Sequence, residues 1–168
     1  FLKSGRIKIN GEDITDFCRK QMDKLRGKAF SMIFQDPMSS LDPTYPVGDQ
    51  IAEAVMAHSP QTSINEARQR AVGLMEMVGI GRSQDRYFMY PYELSGGMRQ
   101  RIVIAIAMAQ EPLMIFADEP TTSLDVTVQS DILDLFSRIK NETGTSIVFI
   151  SHDLSAAAGI ADRGIVMK

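Results

Sequence analysis

Leu113-Met114-Ile115-Phe116-Ala117-Asp118-Glu119 is a short, continuous apolar run that ends in two adjacent acids. A run of that length reads as a buried strand, and the acids mark where it leaves the core. Downstream, Val128, Ile132, Leu135, Phe136 and Ile139 recur at helical spacing, which predicts a helix from about 126 to 141 with Gly144 as its stop. Ser146-Ile147-Val148-Phe149-Ile150 follows as a second buried strand, and Gly164-Ile165-Val166-Met167 reads as the start of another. Upstream, a helix is expected from 98 to 110, and Ala29-Phe30-Ser31-Met32-Ile33-Phe34 is a third apolar run, closed by Gln35-Asp36-Pro37. Helix alternating with near-continuous apolar strand is the pattern of an α/β fold, a parallel sheet covered on both faces.

The rest of the chain is less regular. Arg6-Ile7-Lys8-Ile9-Asn10 alternates polar and apolar and closes at Gly11, as a strand entering a turn does, and a charged stretch runs on to Lys28. Residues 36 to 62 are rich in Pro, Ser, Asp and Thr and read as a loop with a short helix at Ile51–Ala57. Ser63 and Glu66 are spaced as a capping box, and Ala67, Ala71, Leu74, Met75 and Val78 form one stripe that ends at Gly79 and Gly81.

Composition narrows the function classes. With 168 residues, 44% hydrophobic and 23% charged, the chain is long enough to bury a core, so disordered and fibrous classes are out. A net charge of -3 gives no basic footprint for nucleic acid. The single cysteine, Cys18, excludes an internal disulfide framework and fits a reducing compartment. No apolar run approaches the ~20 residues needed to span a bilayer.

In an open parallel sheet, ligands sit beyond the carboxyl ends of the strands. Three such ends carry polar residues: Gln35, the pair Asp118-Glu119, and Ser151-His152. An acid pair of this kind can hold Mg²⁺ on a nucleotide through the first residue and polarise an attacking water through the second. Taken alone, the pair reads equally as solvated loop acids ahead of Pro120. Leu94-Ser95-Gly96-Gly97-Met98-Arg99-Gln100-Arg101 places two glycines at a helix start, where backbone N–H groups and the dipole suit a phosphate. Its plainer reading is a turn with Ser95 as an ordinary N-cap. A lone histidine after a strand is more often structural, and a lone glutamine more often a loop amide.

In combination these stretches resemble one family. Leu94–Arg101 is similar to the signature motif of ABC ATPases, Asp118-Glu119-Pro120 to Walker B, Ser123-Leu124-Asp125 to the D-loop, Ser151-His152-Asp153 to the switch region, and Ile33-Phe34-Gln35-Asp36-Pro37 to the Q-loop. All five stand in family order. The resemblance implies a nucleotide-binding domain of the ABC type, RecA-like with a P-loop NTPase core and a helical subdomain, here partial. It divides the chain into 1–35, the end of the N-terminal β part; 36–97, the helical subdomain with the signature; and 98–168, the core with Walker B, D-loop and switch.

By the same resemblance Glu119 and His152 are catalytic, Asp118 and Gln35 hold Mg²⁺, and Gln35, Ser95, Gly96, Gly97 and Asp125 contact ATP. Phe34–Pro43, Tyr90-Pro91 and Asp118–Thr122 narrow it to the ATPases of dipeptide and oligopeptide importers, a group that includes nickel importers. Such subunits pair with a second ATPase subunit beneath two membrane permease subunits, on the cytoplasmic face, fed by an extracytoplasmic binding protein. Nucleic acid is not an expected partner.

One family element does not occur within these residues. The phosphate loop needs Gly, four residues, then Gly-Lys-Ser or Gly-Lys-Thr. At Gly27-Lys28, the one Gly-Lys pair, Met22 occupies the first glycine position and Ala29 the hydroxyl position. That loop is expected upstream of Phe1, and the chain by itself is expected to be inactive. The other reading is a non-catalytic fragment competent only for association. An ABC ATPase of DNA repair fits worse, because only about a dozen residues separate Gln100 from Leu113, too few for a coiled-coil insertion.

Overall fold

The computed structural model describes residues 5–59, 61–122, 124–153 and 157–167. In chain order these form a hairpin of β1 (Lys8–Ile9) and β2 (Glu12–Asp13), then α1 (Arg19–Leu25), β3 (Phe30–Ile33), α2 (Pro37–Ser40), α3 (Val47–Met56), α4 (Ile64–Met77) and α5 (Ser83–Arg86). A 3-10 turn at Pro91–Glu93 leads to α6 (Gly96–Met108), β4 (Met114–Asp118), α7 (Val126–Thr143) and β5 (Ser146–Ile150). The strands β3, β4 and β5 make a parallel sheet with β4 in the middle; Ile33 pairs with Ala117, and Asp118 with Ile150. This register sets the carboxyl ends of all three strands side by side.

Alternation along the strands decides what the sheet buries. Ile33, Ile115 and Ala117 are buried and Ile147 and Phe149 pack against them, on the side where α6 and α7 lie. The Phe136 and Phe149 rings meet edge to face there, 5.9 Å between centroids. The core is continuous from the sheet through α6 into α3 and α4, taking in Ile102 and Ile104 on one element and Ile51, Val55 and Met75 on the others. Apolar residues run around most of α6, as an interior helix requires. Two arginines fasten α4 to its neighbours: Arg101 of α6 donates to the Val78 carbonyl at 2.6 Å, and Arg138 of α7 donates to the Met77 carbonyl. Cations at a helix C-terminus satisfy orphan carbonyls and complement the dipole.

The three apolar runs, the 63-onward helix and the helix expected from about 126 form as expected, with Gly144 ending α7 at φ +71°. Other expectations need correction. Residues 164–167 are not a strand: Ile165 and Met167 are each 91% exposed, and no described strand pairs with them. Among the described residues the sheet is covered on one face only; on the other, Met32, Phe34, Val148 and Ile150 are 37–55% exposed. The charged stretch before Lys28 contains α1, whose residues are all unburied, so no apolar stripe announced it.

In the 36–62 segment the helix begins earlier than expected, at Val47. Val47 and Gly48 donate their N–H groups to the carbonyls of Met89 and Tyr87, at 2.9 Å each. Long-range partners thus satisfy a helix start that no local cap signals. Among the described residues, no helix is long and apolar enough to cross a membrane.

Candidate functional site

Glu119 is the hub of the strand ends. It follows β4 directly, and its N–H donates to the Ile150 carbonyl of β5 at 2.9 Å, which carries the ladder one step past Asp118. Its backbone then turns into the left-handed region, φ +46°, ahead of Pro120. The Glu119 carboxylate is held on both oxygens. Oε2 accepts from Gln35 Nε2 at 2.8 Å and from Thr122 Oγ1 at 3.0 Å, while Oε1 lies 3.0 Å from His152 Nδ1. Three residues expected to act together are therefore joined across 84 and 33 positions of sequence. Thr122 was not foreseen; its one sequence signal is a hydroxyl residue three places after the acid, in a turn carrying proline.

The charges reinforce the contacts. The bond to His152, then that to Thr122, holds the Glu119 carboxyl below the usual carboxylate range, against a smaller opposing effect of burial. The same carboxylate pushes the His152 imidazole above its ordinary value. The side chain of Asp118, half-buried at the end of β4, has no hydrogen-bond or ion-pair partner among the described residues. The Gln35 amide donates an N–H to Glu119, and its carbonyl oxygen has no partner among the described residues. Carboxylate and amide oxygens suit a hard cation, and the described residues hold no cluster of three His, Cys, Asp or Glu side chains able to bind one unaided. Mg²⁺ takes one or two carboxylates and completes its shell with phosphates and water, so Asp118 and the Gln35 oxygen are donors of the type it uses.

The signature residues stand apart from this hub. Ser95 is the N-cap of α6, its Oγ accepting from the Met98 N–H at 3.3 Å, and Gly96 and Gly97 are the first helical residues. A Cβ on Gly97 would come within 2.5 Å of Val128 Cγ1, and one on Gly96 within 3.6 Å of Leu124 Cδ2. The missing side chain at Gly97 thus admits Val128 at the start of α7, whereas a Cβ on Gly96 would make only ordinary contact with Leu124. Asp125 caps α7, accepting from the Val128 N–H at 3.0 Å. Ser123 lies outside the described residues. Gln100, in the same octapeptide, is 1% exposed and faces the interior. Gly27-Lys28 lies between α1 and β3, ahead of a strand, whereas a phosphate loop follows one.

Comparison with known proteins agrees with this geometry. Residues 2–122 match the family profile described as ABC transporter. The chain is 48% identical over 167 residues to the oligopeptide transport ATP-binding protein OppD of Bacillus subtilis (strain 168), covering 99% of the chain and 46% of that protein. It is also 48% identical over 163 residues to OppD of Mycobacterium tuberculosis (strain ATCC 25618 / H37Rv), covering 97% of the chain and 27% of that protein. The dipeptide transport ATP-binding protein DppD of Bacillus subtilis (strain 168) is 47% identical, with 97% of the chain and 48% of that protein covered. The chain therefore spans half or less of the length of these relatives. Among solved structures it resembles the dimeric ATP-binding cassette MJ0796 in a post-hydrolysis state bound to ADP and Pi, with TM-score 0.79 and 27% identity, over 92% of this chain and 66% of that one. On the profile match over residues 2–122, the chain belongs to the ABC transporter family.

Proposed function

We propose that this chain is part of the ATP-binding and ATP-hydrolysing subunit of an importer for dipeptides, oligopeptides or a related solute. The observation that carries the reading is the junction at Glu119, where Gln35 from the end of β3 and His152 from beyond β5 meet one carboxylate at the end of β4. The names of the relatives support the solute class, with nickel as the alternative within the same group.

In this reading Glu119 is the general base toward the attacking water, and His152 donates to the terminal phosphate. Asp118 and the Gln35 carbonyl oxygen would hold Mg²⁺, which when bound neutralises charge on the β- and γ-phosphates. In this reading His152 leaves Glu119 for the terminal phosphate, and Gln35 turns from it toward Mg²⁺. Ser95, Gly96 and Gly97 would face ATP bound to a second subunit, with Asp125 at the same seam. The proposed organisation is 1–35 ending the N-terminal β part, 36–97 the helical subdomain and 98–168 the core. The assembly is peripheral, on the cytoplasmic face of the membrane beneath two permease subunits, with a binding protein beyond.

The test is Glu119→Gln in the whole protein. An amide keeps the shape and loses the base, so ATP binding should persist while hydrolysis falls by about 100-fold or more. Near-normal turnover with normal binding would remove Glu119 from the role of base. A second reading, association without catalysis, is favoured for these 168 residues by themselves: they contain no phosphate loop, and one sheet face is open.

A further inference from the structure

The Glu119 carboxylate has three partners, and they differ in how they are tethered. Gln35 and His152 come from other strands and, on the reading of Glu119 as general base, both turn toward nucleotide during the cycle. Thr122 belongs to the same turn as Glu119. Its N–H donates to the Glu119 carbonyl at 3.1 Å across Pro120 and Thr121, and its Oγ1 donates to Glu119 Oε2 at 3.0 Å. Pro120 presets one φ of that turn, and both Pro120 and Thr121 are buried, so the turn is anchored in the core. Thr122 is β-branched, which restricts where its hydroxyl can sit.

A glutamate has little intrinsic preference for the orientation of its carboxylate plane, because the last side-chain torsion is broad. Once Gln35 and His152 leave, that plane is fixed only by what remains. We infer that Thr122 is a positioning residue for the general base. Its hydroxyl keeps Oε2 fixed through the cycle, so Oε1, which His152 vacates, is the oxygen presented to the attacking water. The left-handed backbone at Glu119 supports this: a residue rarely found there is held by its surroundings, and Thr122 supplies two of the bonds.

The experiment compares Thr122→Val, Thr122→Ser and Glu119→Gln in the whole protein, reading ATP turnover, KM for ATP and equilibrium ATP binding. Valine matches threonine in shape and lacks the hydroxyl. A hydrogen bond to a charged group lost at the base should lower kcat about tenfold in Thr122→Val, with KM and binding within about twofold of wild type. Thr122→Ser should recover most of that loss. Wild-type kcat in Thr122→Val, with Glu119→Gln inactive, overturns the inference and spares the base. Equal losses in the valine and serine variants also overturn it, since the hydroxyl would then not matter. Turnover retained in Glu119→Gln removes the underlying reading itself.

Discussion

Glu119 and His152 shift each other in opposite directions, and the signs define a pH window. The His152 imidazole is raised above its ordinary 6.5, first by the bond to Glu119, then by that group's charge, with Asp153 adding to it. What this contributes to stability is present in full below 6.5 and is lost as pH climbs through the raised value. Glu119 is lowered from 4.5, so its share is present above 4.5 and is lost as pH falls through the lowered value. Both contributions are present in full between pH 4.5 and 6.5, a mildly acidic window. NMR titration of the His152 ring should report a pKa above 6.5 in the wild type that moves down toward 6.5 in Glu119→Gln. An unchanged His152 titration in that variant would mean that the 3.0 Å contact carries no charge coupling in solution.

At the scale of elements, the crossing of α6 and α7 turns on one missing side chain. Gly97 lies in the first turn of α6, where a Cβ would sit 2.5 Å from Val128 Cγ1 of α7. Real Cβ atoms do not approach so closely, so Gly97→Ala must push the two helix starts apart or force Val128 off its rotamer. Overpacking of this kind costs about 1–3 kcal/mol. Thermal unfolding should show the loss, and Val128→Ala should relieve it, making the double variant more stable than Gly97→Ala alone. Simple additivity of the two substitutions would rule out the contact. Any loss of activity on replacing Gly97 therefore mixes packing with phosphate contact, whereas Gly96, where a Cβ would make only ordinary contact at 3.6 Å, is a cleaner probe of the proposed trans site.

For the molecule as a whole, the one-sided sheet has a consequence for association. Met32, Phe34, Val148 and Ile150 line the face opposite α6 and α7, each more than a third exposed. The register places them as neighbours: Met32 lies opposite Phe116, Phe116 opposite Val148, and Asp118 opposite Ile150. A contiguous apolar face beside the strand ends is a surface that associates. The 168-residue chain in isolation should therefore show a scattering mass above that of a monomer, rising with concentration, and Val148→Lys should lower it. A monomer at all concentrations would mean that the exposed face is too small to drive self-association.

The sequence by itself determined the three parallel strands, the α/β class and the residues that stand at those strand ends. Each of these is written locally: in the apolar runs 29–34, 113–117 and 146–150, in the stripe from Val128 to Ile139, and in the ordered motifs around Ser95, Asp118 and His152. Runs and stripes are legible because burial imposes a period on neighbouring residues. Tertiary structure alone decided that Gln35, Thr122 and His152 share one carboxylate, that Gly97 yields to Val128, and that Asp125 spends its side chain as a helix cap. It also decided which sheet face is covered, and that 164–167, despite its apolar residues, pairs with no described strand. Contacts between distant segments depend on strand register and helix crossing, and neither leaves a period in the chain. The same holds for α1, an unburied helix of charged residues: without an apolar face to bury, it has no pattern to read.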